Sequence, residues 1–220
     1  MGKELKFYKG IPEIFEKTKE IVKLNSTFQE YNIKVEHYIV STGMKRMIEG
    51  STIKKHVEDI WGCELIQSLD ENGKFEISEI GYTIDNTSKT RAIFEINKGV
   101  NKNTGYDVNA KIKEGNRRVL FKNMIYIADG PSDVPAFSVI KKGGGSTFAI
   151  YPKSDLKAFQ QVEKLREDNR VDMYAEADYS EGTTTYMWIT NKIYELAQNI
   201  VNEEKSKLEA SISDSPKHLT

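Results

Sequence analysis

Two carboxylates stand four residues apart in Asp129-Gly130-Pro131-Ser132-Asp133, directly after the apolar run Met124-Ile125-Tyr126-Ile127-Ala128. Such an unbroken run reads as a short strand buried on both faces, as in a parallel sheet. Asp-Gly-Pro then stops it with turn chemistry, and Pro131 suits the first turn of a helix. Asp129 is therefore expected at the carboxyl end of a buried strand, with Asp133 one helical turn further on. Open α/β sheets place their ligands at that end, and two carboxylates there suit a hard divalent cation such as Mg²⁺. The same pattern also fits a helix N-cap, Asp129, with a first-turn acid, Asp133, which is the commoner use of these residue types.

Two more groups have settings that could serve the same chemistry. Residues 34–40 include β-branched and aromatic residues, and the strand they predict ends at Ser41-Thr42-Gly43, before a charged helical segment over 44–49. Lys89 falls in the first turn of a helix that Asn86 or Thr87 caps and Gly99 closes. One hydroxyl, one ammonium and two carboxylates in an α/β sandwich would make a phosphate-plus-Mg²⁺ site. The hydroxyl and backbone N–H groups would bind phosphoryl oxygens, the lysine would offset negative charge, and the carboxylates would hold the metal. Taken singly, Ser41 also fits a helix cap and Lys89 a solvated first-turn residue.

The elements that must position these groups alternate almost throughout. Ile11, Ile14, Phe15, Thr18, Ile21 and Val22 share one helical face. Residues 60–67 and 75–84 read as extended segments around the hairpin turn Asp70-Glu71-Asn72-Gly73, and 101–118 is a polar surface excursion. A strand over 147–151, a helix marked by Leu156, Phe159, Val162 and Leu165, a short strand over 173–177 and a long helix over 184–208 follow. This order predicts a three-layer α/β/α sandwich with a mainly parallel, Rossmann-like sheet over residues 1–208, and a polar tail over 209–220.

Composition narrows the partners. With 220 residues, 30% charged, and a net charge of −1, the chain offers no one-signed field for nucleic acid or an anionic membrane. Its single cysteine, Cys63, lies in an apolar run and reads as a small buried hydrophobe. No signal region or membrane-length apolar segment is visible, so a soluble, cytoplasmic protein is expected.

At these residues the sequence resembles the haloacid dehalogenase (HAD) superfamily, and specifically its phosphatase-like members with a cap inserted after the first motif. His37-Tyr38-Ile39-Val40-Ser41-Thr42-Gly43 is similar to the second motif, which implies a phosphate-binding hydroxyl at Ser41 with Thr42 and Gly43 beside it. Asn86-Thr87-Ser88-Lys89-Thr90 is similar to the segment of the third-motif lysine. Tyr126-Ile127-Ala128-Asp129-Gly130-Pro131-Ser132-Asp133 resembles the acidic fourth motif, with Ala128 in place of its glycine. Further segments, among them Ile96-Asn97-Lys98-Gly99-Val100 and Ala177-Asp178-Tyr179-Ser180-Glu181-Gly182, look like one bacterial subfamily of HAD hydrolases. The likeness runs over residues 5–200. It implies Mg²⁺-dependent hydrolysis of a phosphorylated small molecule, with Ser41, Thr42, Gly43 and Lys89 on the substrate and Asp129 and Asp133 on the metal.

One departure governs the functional expectation. The superfamily's nucleophile and general acid/base are the two aspartates of Asp-x-Asp-x-Thr on the first strand, and neither is found here. The nearest look-alike, Asp178-Tyr179-Ser180-Glu181-Gly182-Thr183, has serine where the second aspartate belongs. The first motif, its strand and the cap should precede Met1, so this chain alone is expected to be inactive. The resemblance places that strand between the ones ending at Ser41 and Asp129. Those two strands must then pair directly, accept residues 4–8 as a substitute, or take a strand from another polypeptide or copy, and the isolated chain is expected to be marginally stable or oligomeric. The alternative is a HAD-like protein that has lost its chemistry and binds a phosphorylated ligand or a protein partner.

Overall fold

The computed structural model describes Gly2, residues 5–103 and residues 105–213. Helices α1 (Glu13–Lys23) and α2 (Ser26–Glu30) open the fold. Strand β1 (Tyr38–Met44), helix α3 (Lys45–Glu49), strands β2 (Asp59–Leu69) and β3 (Phe75–Tyr82), and helix α4 (Asn86–Lys98) follow. The second half alternates β4 (Ile125–Ala128), α5 (Val134–Lys142), β5 (Ser146–Tyr151), α6 (Leu156–Glu167), β6 (Met173–Glu176) and α7 (Thr184–Ser213). Among the described residues no helix is long and apolar enough to cross a membrane.

The described strands form two three-stranded sheets, ordered β1-β2-β3 and β4-β5-β6. All pairings are parallel except β2 with β3, an antiparallel hairpin turned at residues 70–74. The fold is thus mixed α/β with mainly parallel pairing, as expected. The second sheet has helices on both faces because side chains alternate along its strands. Phe148 and Ile150 of β5 face one core with Ile14 and Val22 of α1, Phe28 of α2 and Val201 of α7. Ala149 faces the other with Phe137 of α5 and Val162 of α6. Trp188 of α7 stacks on Phe148 with centroids 4.6 Å apart. In the first sheet, the indole Nε1 of Trp61 in β2 donates to Glu95 of α4 at 2.7 Å.

Several boundaries differ from expectation. Strand β1 lies at residues 38–44 rather than 34–40, because its ladder begins where β2 offers a partner, Tyr38 opposite Asp59. Ser41 therefore sits inside an irregular strand, not at its tip. The cap of α4 is Asp85, whose carboxylate accepts from the N–H groups of Thr87 and Ser88 while Ser88 closes a capping box. Strand β4 is half-buried along its length instead of buried on both faces, since it pairs with β5 alone. Helix α7 continues to Ser213, so residues 209–213 of the expected tail are helical and 214–220 lie outside the described residues.

Strands β1 and β4 do not pair with each other, and residues 5–8 join no strand; Glu4 lies outside the described residues. Lys9 instead accepts from the backbone N–H of Tyr179 at 2.8 Å. Gly10 makes that approach possible: its φ is +79°, and a Cβ there would lie 2.2 Å from the Tyr179 carbonyl carbon.

Candidate functional site

Strand β4 delivers Asp129 at its carboxyl end, and the 3-10 turn Pro131–Asp133 carries the chain into α5. Asp133 is buried there. Helix α4 packs on α5 through Ile93 against Ala136 and Ile140, which brings the first turn of α4 over that turn. A lysine in a helix's first turn is opposed by the helix dipole, and Lys89 is buried as well. Asp133 meets it there: Lys89 Nζ lies 2.8 Å from Asp133 Oδ1, with side-chain exposures of 8% and 1%.

The remaining bonds complete a closed polar cluster. Lys89 Nζ donates to Ser132 Oγ at 3.0 Å, the Tyr126 hydroxyl donates to Asp133 Oδ1 at 2.6 Å, and Ser132 Oγ donates to Asp133 Oδ2 at 3.1 Å. Burial pushes the Tyr126 hydroxyl far above the ordinary tyrosine range, and the charge and hydrogen bond of Asp133 add to this. Tyr126 is thus a neutral donor throughout the physiological range. Neither carboxylate serves as a helix cap: Gly130 holds the N-cap position of the 3-10 turn, and Asp133, at that of α5, makes no side-chain cap bond.

Asp129 is exposed, and its backbone carbonyl accepts from Gln161 Nε2 at 3.1 Å. Its charge is felt by three hydroxyls. It raises the pKa of Tyr8 after burial does, that of Tyr179 after burial and Tyr8, and that of Tyr126 as the smallest cause. The Lys9–Tyr179 backbone bond holds two of these tyrosines at one place.

The structure therefore brings Lys89 and Asp133 into contact and sets Asp129 at the head of the same turn. It does not join Ser41 to them. The Ser41 hydroxyl accepts from the Gly43 N–H at 3.0 Å, and Ser41 lines an apolar cavity of about 380 Å³ with Leu5, Phe7, Ile39 and Met44. Thr42 and Gly43 are exposed, the Thr42 carbonyl accepting from the Cys63 thiol at 3.2 Å. Asp178 makes a local turn with the Ser180 N–H at 2.9 Å, and hydrogen bonding from the Ser180 side chain first, then from that N–H, lowers its pKa. Of the two carboxylates expected on a metal, Asp133 has both oxygens engaged and Asp129 keeps a solvent-facing position. Among the described residues, no group of three or more His, Cys, Asp or Glu side chains is placed to hold a metal ion. Ser132 and Tyr126 are the cluster members that sequence reasoning missed. A hydroxyl beside Asp133, and a tyrosine two residues before Ala128 on the same strand face, were the available signals.

Fold and site together define an α/β domain with a buried lysine–aspartate pair beside the carboxyl end of a parallel strand. No family model matches the sequence, and no solved structure matches the chain at a significant level. The chain is 38% identical over 207 residues to an uncharacterized protein of Borreliella burgdorferi, an alignment that takes in 88% of this chain and 68% of that protein. The chain belongs to that protein's family.

Proposed function

We propose that this chain is the larger part of a HAD-like, Mg²⁺-dependent phosphomonoester hydrolase. The observation that carries the reading is the buried Lys89–Asp133 pair, fixed by Ser132 and Tyr126 next to exposed Asp129. Its residues follow the order the resemblance implies. Asp129, exposed beside that pair, would take the cation, which would supply charge neutralisation on a phosphoryl group. Asp133 holds and balances Lys89, so that the ammonium is fixed in advance of the ligand. Further metal ligands and the nucleophile would come from residues outside this chain, together with a strand for the unpaired flanks of β1 and β4. The alignment leaves about a third of the Borreliella relative uncovered.

Calorimetric titration of Mg²⁺ with inorganic phosphate tests the binding half of the proposal. Weak binding that disappears in Asp129→Asn is expected, and no binding to the wild-type chain would sink it. For the catalytic half, the chain alone should not hydrolyse p-nitrophenyl phosphate. Co-expression with the uncovered third of the relative should restore turnover that Lys89→Ala abolishes. A ligand-binding protein without chemistry would pass the first test and stay inactive in the second.

A further inference from the structure

The β2–β3 hairpin carries an apolar face whose side chains are largely exposed among the described residues. Cross-strand partners point to the same side of an antiparallel pair, and here the pairs Leu65–Ile80, Gln67–Ile77 and Leu69–Phe75 share one side. Ile77 and Ile80 are three apart and would fall on opposite faces of a regular strand. The register skips one residue between Glu79 and Ile77, opposite Ile66 and Gln67, and that irregularity returns both isoleucines to one face. Leu69 is 60% exposed, Phe75 68%, Ile77 62% and Ile80 70%. Gln67, the polar member of the ladder, has its side-chain carbonyl held by Arg46 Nη1 at 2.7 Å. The opposite face presents Glu64, Ser68, Glu76 and Glu79, along with Ile66.

We propose that this face is a self-association surface, on which a second copy of the chain packs hairpin against hairpin about a two-fold axis. Three features select a second copy as the occupant. Five of the six ladder side chains are apolar and none of the six is charged, so the face is complementary to itself, as a two-fold contact requires. Its four most exposed side chains could bury up to roughly 500 Å² per copy, so two copies approach the ~1,000 Å² lower bound for a specific interface. The acidic residues lie on the reverse side, so packing face to face keeps them apart. Pairing of two β3 edges would instead set glutamates of the two copies side by side. The inference does not depend on the chemistry proposed for Lys89 and Asp129.

Sedimentation equilibrium of the full chain from low to high micromolar concentration is the test. The wild type should dimerise. Ile77→Lys and Phe75→Glu should shift the dimer to monomer by at least tenfold in dissociation constant, with unchanged circular dichroism. Leu156→Lys, which places the same charge at an equally exposed apolar position on α6, should leave the dimer intact. Hydrogen exchange on the wild type needs no variant: amides of 65–69 and 75–80 should gain protection as concentration rises. A wild type that stays monomeric, a dimer indifferent to both hairpin substitutions, or concentration-dependent protection confined to β1 or β4 would overturn the proposal.

Discussion

Phe148 in β5 is fully buried, whereas Phe75 in β3 is 68% exposed. Both stand on paired strands, Phe148 on a regular one and Phe75 on one whose ladder skips a residue. Phe148 has α7 over it, with Trp188 stacked on the ring, and Ala149 next to it turns to the opposite core. Phe75 closes an apolar ladder with Leu69, which is itself 60% exposed. The difference between the two sheets is therefore not in strand-forming character but in cover. A helix follows each parallel strand of the second sheet and seals a face. The hairpin returns directly through residues 70–74, so no chain is left to lie across it.

That contrast can be broken by a pair of substitutions. Phe148→Ala should destabilise the fold by about 3–5 kcal/mol, the usual loss for a buried ring and its cavity. Phe75→Ala at a concentration where the chain is monomeric should change stability by less than about 0.5 kcal/mol. Urea unfolding of both variants measures this, and equal losses would mean that the hairpin is covered in the native state.

The next largest effect concerns the link between the two halves. Lys89 belongs to the helix that follows the hairpin, and Asp133 to the turn that follows β4. Lys89→Met should cost about 3 kcal/mol, at the low end for a broken buried pair, because Ser132 and Tyr126 still donate to Asp133. Lys89→Met with Asp133→Leu should be less destabilised than the two single changes summed. Additive losses would show that the two residues do not act as a pair.

A smaller, pH-dependent effect sharpens the comparison from the side of the first sheet. His37 leads into β1, shares a 2.9 Å hydrogen bond with Thr18 of α1 and meets the edge of Phe15 at 4.9 Å. Burial first, and then the charge of Lys19, holds its pKa down at about 4, against the opposing pull of Glu16 and Glu58. The folded value lies below the unfolded one of about 6.5. The contribution of His37 is thus present above ~6.5 and lost as the pH falls towards 4, an effect of order 2 kcal/mol. Unfolding midpoints at neutral and mildly acidic pH should differ more in the wild type than in His37→Gln. Identical acid sensitivity in both would place the titration elsewhere.

Much of the second sheet was legible because strand, turn and helix signals agree locally. Asp-Gly-Pro ends β4, Gly99 closes α4 in a left-handed conformation, and Leu165 and Val162 of α6 recur at helical spacing. The first sheet was harder. The start of β1 depends on where β2 begins, which no local pattern encodes. Asp85 outcompetes Asn86 as a cap because its carboxylate reaches two amides. The ladder at Phe75, Ile77 and Ile80 was readable as extended, but alternation does not tell which face a helix will cover. In the site, Lys89 and Asp133 were visible only through their order along the chain. Their contact spans 44 residues. The engagement of both Asp133 oxygens depends on Tyr126 and Ser132, whose hydroxyls look unremarkable in sequence.

The two tryptophans fall one to each sheet: Trp61 in β2, tied to Glu95, and Trp188 on α7, stacked on Phe148. Their charged partners are opposite in sign. The Trp61 indole donates to a carboxylate and lies 6.0 Å from the Tyr38 ring, whereas Lys192 Nζ sits 5.8 Å from the Trp188 ring. The molecule thus carries two intrinsic fluorophores in distinct electrostatic fields, one for each half. Emission from either one, with the other replaced by phenylalanine, follows the melting of a single sheet without any added label.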